Sequence, residues 1–420
     1  MSETGKTPFK DQKTIPQSIL DDASRQCELL CYGAVEVIPE EDLKKMLIDS
    51  LLNKKPLRVK CGIDPTNVDV HLGHTIPYRK MRQFQDLGHV GVVVIGDYTA
   101  RIGDPTGKSE SRKSLTEEEV QFNAKKYLEQ VYKVVDPKKT EVRFQSEWFG
   151  KVGLSEVVQW AMETTVSKLL SHETFADRLK QGGSLGLHEL FYPVLQGIDS
   201  VYINADVELG GTDQKFNILM GRDYQKHRHQ RPQVAMTMPI ILGTCGQQKM
   251  SKSLNNYIGV LDDPFDQFGK VMSIPDALMS DWSLYVSGWN KNEIQQFQEN
   301  LKNQKLHPNI AKKMLAEAVV SYFHGLEVGK KMREQFENVF AKKSIPDEIS
   351  EYKFTTGEKI IEVLVKSGML ASNSEARRLI SQNGLSFAEG DKIQDEKISL
   401  DESFRNKVLK IGKKKFLKLI

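Results

Sequence analysis

The 420-residue chain has only four cysteines, Cys27, Cys31, Cys61 and Cys245, too few for a disulfide framework at this length. No apolar run approaches the ~18 residues a membrane-spanning helix needs, and Met1-Ser2-Glu3-Thr4-Gly5-Lys6 lacks a signal peptide's apolar stretch. These absences predict a cytoplasmic protein with no membrane partner. Excess charge is missing too. With a net charge of +3, any nucleic-acid surface has to come from local clustering rather than bulk charge. Cys27 and Cys31 stand four apart on a predicted helix, a spacing suited to a metal, but no second pair or nearby histidine completes a ligand set. No protein-built metal site is expected.

An apolar content of 39% and a charged content of 27% describe a globular chain, and its length implies about two to three domains. Residues 1–34 read as an arm and a helix. From 35 to 264, apolar strand-like runs at 57–61, 90–97, 142–144, 200–206 and 233–237 alternate with helical spacing, which predicts a doubly wound, Rossmann-like α/β sheet. A mostly helical insertion interrupts it near 147–196. Residues 265–342 carry helical patterns at 292–302, 309–325 and 326–342, with Leu315, Val319, Tyr322 and Phe323 as an apolar stripe. A polar, proline-containing linker at 343–353 leads to a small α+β module at 354–420. From Ser403 to Ile420 there are six lysines, one arginine and no acid, a local basic footprint.

Ligands in such sheets sit at the carboxyl ends of the strands, so the turns there are where chemistry is expected. The first strand runs through a glycine-containing turn into His71-Leu72-Gly73-His74 at a predicted helix start, where free N–H groups and the helix dipole favour phosphate. Much later, Lys249-Met250-Ser251-Lys252-Ser253 places two lysines on a loop able to close on a polyphosphate as charge builds on a leaving group. Together, inside an α/β pattern, the two motifs are far more specific than either alone.

With these stretches the sequence resembles the class I aminoacyl-tRNA synthetases, and within them the bacterial-type tyrosyl-tRNA synthetases. The likeness spans nearly the whole chain. It also rests on Gly62-Ile63-Asp64-Pro65-Thr66, Ile102-Gly103-Asp104-Pro105-Thr106-Gly107-Lys108, Tyr192-Pro193-Val194-Leu195-Gln196-Gly197-Ile198-Asp199 and Gly210-Gly211-Thr212-Asp213-Gln214. The resemblance implies a catalytic Rossmann-like domain with a dimerisation insertion, a helical anticodon-side domain and a C-terminal RNA-binding domain. It implies that Tyr192, Gln196 and Asp104 hold the ammonium of tyrosine, that Asp199 accepts its phenolic hydrogen and that Gln214 faces its carboxylate. Rejection of phenylalanine by an unpaired polar group is a principle for which this enzyme family is itself the worked example.

For ATP, the resemblance puts His71 and His74 on the phosphates and Gly73 under the adenine. Asp213 falls on the ribose, with Asp64 and Thr66 lining the cleft. Lys108, Arg112, Lys249 and Lys252 then stabilise the leaving pyrophosphate, whose charge calls for magnesium with the ATP but for no permanently bound cofactor. Arg377, Arg378, Lys413, Lys414 and Lys415 are the expected RNA contacts, and the expected partners are tyrosine, ATP, tRNA(Tyr) and a second copy of the chain.

One position departs from the family pattern: Lys60 stands where many tyrosyl enzymes place a tyrosine as second partner of the substrate hydroxyl. Either another group supplies that bond, or Asp199 acts alone; a lysine there can also pair with an acid and serve only structure. The rival readings are a tryptophanyl relative, a nucleotidyltransferase that also uses His-x-Gly-His, and an RNA-binding protein with a dead active site. The Tyr192, Gln196 and Asp199 set argues against the first, the C-terminal module and helical bundle against the second, and the intact His71, His74, Lys249, Lys252 and Asp104 against the third.

Overall fold

The computed structural model describes residues 15–66, 68–104, 116–343, 350–388, 392–412 and 415–420. Lys108, Arg112, Lys413 and Lys414 lie outside the described residues. The chain divides into two compact units, 1–330 and 331–420.

The first unit is built on a six-stranded sheet. Its strands are β1 (Glu36–Ile38), β2 (Arg58–Ile63), β3 (Val90–Ile95), β4 (Thr140–Phe144), β5 (Val207–Gly211) and β6 (Val234–Met238), in the order β1-β6-β5-β2-β3-β4. All neighbours run parallel except β1, which pairs antiparallel with the edge of β6. The continuous β-branched run of β3 is buried from Gly91 onward, as befits a strand covered on both faces. From β2 the chain steps outward to β3 and β4, then returns to the other side of β2 for β5 and β6. The order therefore reverses between β2 and β5, which opens a crevice at their carboxyl ends.

Two differences from the sequence expectation have physical causes. The strand expected at 200–206 is not one: Ser200, Val201 and Tyr202 complete the helix Leu187–Tyr202, and the strand begins at Val207. Val194, Ile198 and Val201 are buried at helical spacing, so the apolar run continues a helix face. The chain then turns at Asn204, whose φ of 48° is one that asparagine tolerates. The second difference is β1, three residues long and too short for any alternation to show. It lies between the helices α1 (Gln17–Cys31) and α2 (Glu40–Asn53). The strand between them caps the sheet's edge beside β6.

Short helices fill the region between β4 and β5, including Leu154–Met162 and Glu173–Lys180. After β6 come the helices Pro264–Met272, Met279–Tyr285, Lys291–Lys302 and Pro308–His324. Leu315, Val319 and Phe323 are buried on the last of these, as the stripe predicts. Among the described residues no helix is long and apolar enough to cross a membrane.

In the second unit β7 (Ser350–Tyr352), β8 (Leu385–Phe387), β9 (Val408–Ile411) and β10 (Lys415–Leu419) form a sheet in the order β7-β10-β9-β8. The helices Ile360–Lys366 and Asn373–Ser381 share a core with it that includes Ile360, Leu364, Ile380, Leu409 and Leu417. Gly368, at φ 74°, follows the first helix in the left-handed conformation that helix ends favour.

Candidate active site

A cleft of about 550 Å³ opens at the carboxyl ends of β2, β3 and β5. Its near wall is the start of helix α3 (Leu72–Asp86), for which His71 is the N-cap. His71 Nδ1 accepts from the backbone N–H of His74 at 3.4 Å, and His74 Nδ1 accepts from that of His71 at 3.5 Å, a reciprocal capping box. Both rings thus keep their proton on Nε2 and can donate it to a ligand. They stack with centroids 3.5 Å apart. Burial, with His74 and the positive Lys252 nearby, lowers His71 to about 2, and burial with Lys252 lowers His74 to about 4. At neutral pH both are uncharged donors. Positive charge toward a polyphosphate therefore has to come from elsewhere.

The far wall is the helix Leu187–Tyr202, which brings Tyr192, Gln196 and Asp199 along one face to the cleft. Gly197 on its other side allows the packing: a Cβ there would lie 2.8 Å from the Tyr224 ring and 3.2 Å from the Met220 backbone. Tyr192 donates its hydroxyl to Asp64 Oδ2 at 3.0 Å, and Asp64 Oδ1 accepts from Thr99 Oγ1 at 2.6 Å. Gly96 makes that approach possible, because any side chain there would overlap Asp64 and Thr99. Gln145 Oε1 accepts from the backbone N–H of Thr99 at 3.0 Å, while its Nε2 donates to Asp199 Oδ2 at 2.8 Å. Trp148 Nε1 donates to Asp199 Oδ1 at 3.1 Å. Asp199 is thereby held on both oxygens, each with a lone pair left to accept a ligand's hydrogen. Burial pushes its carboxyl up to about 7, against the opposing pull of Lys60 and of the Gln145 and Trp148 donors.

Lys60 does not reach toward the ligand. Fully buried on β2, it pairs with Glu208 at 2.9 Å and donates to the Gln196 carbonyl and to Ser200 Oγ, each at 2.8 Å, which uses all three of its N–H bonds. Glu208 also accepts from Ser200 Oγ at 3.0 Å, from Gln196 Nε2 at 3.1 Å and from Gln233 Nε2. The lysine is a structural ion pair under the pocket floor. It also fixes Gln196, whose amide nitrogen is taken up by Glu208.

Gln214 Nε2 donates to Asp104 Oδ2 at 2.7 Å, and Asp213 lines the same cleft from the short turn Thr212–Gln214, directly after Gly210 and Gly211 have ended β5 as strand rather than turn residues. The mouth carries Lys249, Met250, Ser251, Lys252 and Ser253. Met250 is buried, with its Sδ accepting from the Gly73 N–H at 3.4 Å, so the loop is pinned to the start of α3. Asn256 holds the loop's backbone by accepting from the Ser251 N–H and donating to the Lys249 carbonyl. Lys252 forms an ion pair with Asp69 at 2.9 Å.

Over residues 52–341 the chain matches the family described as tRNA synthetases class I (W and Y). The tyrosine–tRNA ligase of Carboxydothermus hydrogenoformans is 46% identical over 408 residues, which cover 96% of this chain and 99% of that protein. The chain belongs to the tyrosine–tRNA ligase family. The tyrosine–tRNA ligase of Thermotoga maritima is 44% identical over 94% of this chain and 97% of its own. In fold, the chain is similar to the Archaeoglobus fulgidus tyrosyl-tRNA synthetase solved with L-tyrosine, with a TM-score of 0.59 at 22% identity over 74% of this chain and 100% of that one. It is likewise similar to a C-terminally truncated mitochondrial tyrosyl-tRNA synthetase of Aspergillus nidulans, with a TM-score of 0.63 at 20% identity over 77% of this chain and 98% of that one.

Within this family's fold, one cleft gathers Asp64, Thr66, His71, Gly73, His74, Asp104, Tyr192, Gln196, Asp199, Asp213, Gln214, Lys249 and Lys252, all of which the sequence singled out. Sequence reasoning missed Thr99, Gln145, Trp148 and Asp69. The first two stand just past β3 and β4, at strand ends where ligand contacts are expected, so position alone was an available signal. Trp148 and Asp69 have no such marker. A larger hollow of about 880 Å³ lies at the opposite strand ends, but Arg58 and Arg231 in it are already paired with Glu141 and with Asp49 and Asp206. In the second unit Arg377 and Arg378 are exposed on the helix Asn373–Ser381. Exposed Lys415 donates to the Met369 carbonyl at 2.7 Å.

Proposed function

We propose that this chain joins tyrosine to ATP, forming tyrosyl-adenylate and releasing pyrophosphate, and then transfers the tyrosyl group to the 3′ end of tRNA(Tyr) in the cytoplasm. The observation that carries this reading is Asp199, buried and held on both oxygens by Gln145 and Trp148, at the end of the cleft whose other end holds the neutral His71 and His74 pair. A phenol is the ligand whose O–H such a carboxylate accepts. On this reading Tyr192, Gln196 and Asp104 hold the ammonium, and Gln214 faces the reacting carboxylate; all four line the cleft.

ATP arrives as its magnesium complex, because the polyphosphate charge needs neutralising. His71 and His74 donate to its phosphates, and Asp213 takes the ribose. The tyrosine carboxylate oxygen attacks the α-phosphorus, and the bond to the β-phosphate oxygen breaks, with its electron pair leaving on pyrophosphate. The residues do this by positioning and by charge stabilisation, with Lys249 and Lys252 facing the charge that develops. Lys108 and Arg112 add further positive charge toward the same leaving group. An exchange assay of pyrophosphate into ATP across all twenty amino acids tests the reading: only tyrosine is expected to support it. Exchange with tryptophan instead, or with no amino acid at all, overturns it.

The chain works as a homodimer through the helix Leu154–Met162. Leu154, Val158 and Met162 stand four apart along one face and are 79%, 50% and 80% exposed, while Trp160 on the other side is buried. A second copy meeting this face about a two-fold axis would bury it. Met162→Asp is expected to shift the sedimenting species from dimer to monomer at micromolar protein, without loss of helical signal. An unchanged dimer would place the interface elsewhere.

The second unit binds tRNA through Arg377, Arg378 and Lys413 to Lys415. A chain ending at residue 346 is expected to keep tyrosine-dependent exchange but to lose transfer to tRNA, with a shallower salt dependence of the remaining tRNA binding. Filter binding at several salt concentrations and single-turnover transfer check this. Unchanged transfer with an unchanged salt slope would leave the basic tail a solvated surface.

A further inference from the structure

Helices α1 and α2 pack against one another away from the cleft. Their contact brings together three groups that the reaction does not use. Cys27 and Cys31 point the same way from the last turns of α1, with their Sγ atoms 4.0 Å apart. Glu40, the first residue of α2, brings a carboxylate oxygen to them, so that all three donor atoms lie within 4.8 Å of one another. We propose that Cys27, Cys31 and Glu40 form a binding site for a divalent cation of the zinc class, with water as the fourth ligand.

The geometry suits such an ion. Tetrahedral zinc with Zn–S bonds of about 2.3 Å sets its two sulfurs roughly 3.8 Å apart, close to the separation already present. A sulfur and a carboxylate oxygen on the same ion need about 3.5 Å, which a rotation of the exposed Glu40 side chain supplies. Burial is graded from the closed to the open side. Cys27 is 6% exposed, Cys31 is half-buried and Glu40 faces solvent, which leaves an entry path and room for the water. Two thiolates and one carboxylate select a soft or borderline ion over magnesium or calcium.

A second observation is independent of the three ligands. Lys80, on α3, is 3% exposed, and its ammonium donates to the Leu30 carbonyl at 2.8 Å, the Tyr32 carbonyl at 2.8 Å and Gln83 Oε1 at 2.7 Å. The two carbonyls flank Cys31. Among the described residues this buried cation has only neutral partners, and the end of α1 offers it about half a compensating charge. Two thiolates and a carboxylate around a divalent cation carry one net negative charge, which completes the compensation. Binding then releases the two thiol protons to solvent and changes no oxidation state. The sequence alone offered only the cysteine pair; the third ligand and the counter-charge come from the packing of α1, α2 and α3.

The test uses the full-length chain, reduced and freed of metal by chelator, and Co²⁺ as the spectroscopic probe. Titration is expected to raise a sulfur-to-cobalt charge-transfer band that saturates at one ion per chain and that Zn²⁺ displaces. Cys31→Ser should abolish the band. Glu40→Gln, a surface change compatible with folding, should weaken binding by about tenfold or more, and Cys245→Ser should leave it unchanged. Absence of the band in the native chain overturns the proposal, as does its persistence in Cys31→Ser or undiminished affinity in Glu40→Gln. Pyrophosphate exchange is expected to be unaltered in Glu40→Gln, so failure here is separable from failure of the tyrosine assignment.

Discussion

Replacing Lys252 by alanine is expected to slow formation of tyrosyl-adenylate by about 10²- to 10³-fold, the usual consequence of removing one preorganised donor from a developing charge. Tyrosine affinity should stay within about twofold, because Met250 pins the loop to the start of α3, across the cleft from the helix that carries Asp199. The split follows from the site's electrostatics. Burial keeps His71 and His74 uncharged, so on the proposed assignment they would orient phosphate without supplying charge, and the described residues left to face the leaving pyrophosphate would be Lys249 and Lys252. Lys252 pairs with the exposed Asp69, an easily exchanged partner, since such surface pairs contribute only about 0–1 kcal/mol. Single-turnover adenylate formation and equilibrium tyrosine binding check this together. Equal losses in both would mean that the loop shapes the pocket rather than stabilising the transition state.

Asp199→Ala is expected to lower the specificity constant for tyrosine about ten- to a hundredfold more than that for phenylalanine, the range for losing a hydrogen bond to a charged group at about 1.5–3 kcal/mol. Phenylalanine has no hydroxyl to lose. A pH dependence accompanies it. With Asp199 raised to about 7 by burial, its carboxylate form grows as pH passes upward through 7, so tyrosine binding should strengthen between pH 6 and 8 and that dependence should vanish in the variant. For folding the sign is opposite: a carboxyl raised above its unfolded value contributes stability at low pH that is lost as pH rises toward 7. Exchange kinetics with both amino acids across this range decide the matter. An equal fall for tyrosine and phenylalanine would make Asp199 a structural residue.

The sequence located the chemistry better than it located the elements. Motifs such as His71-Leu72-Gly73-His74 and the Tyr192 to Asp199 stretch are local: the spacing that makes a helix face also makes the binding face, so reading one reads the other. The strand placed at 200–206 failed for the same reason. A short apolar run is equally a helix end or a strand, and only burial of Val194, Ile198 and Val201 on one face decides it.

What the sequence determined by itself was the alternation of elements, the crevice at the strand ends and the residue types that meet there, because these follow from periodicity and from turn and cap chemistry. Tertiary structure alone decided what holds those residues. Gln145 and Trp148 fasten Asp199 across 54 and 51 residues of chain, Lys60 meets Glu208 across the β2–β5 pair, and Glu40 comes to Cys27 and Cys31 by the packing of two helices. A buried polar group must find its partner wherever packing brings one within hydrogen-bond reach, and that distance through space is not written in any spacing along the chain.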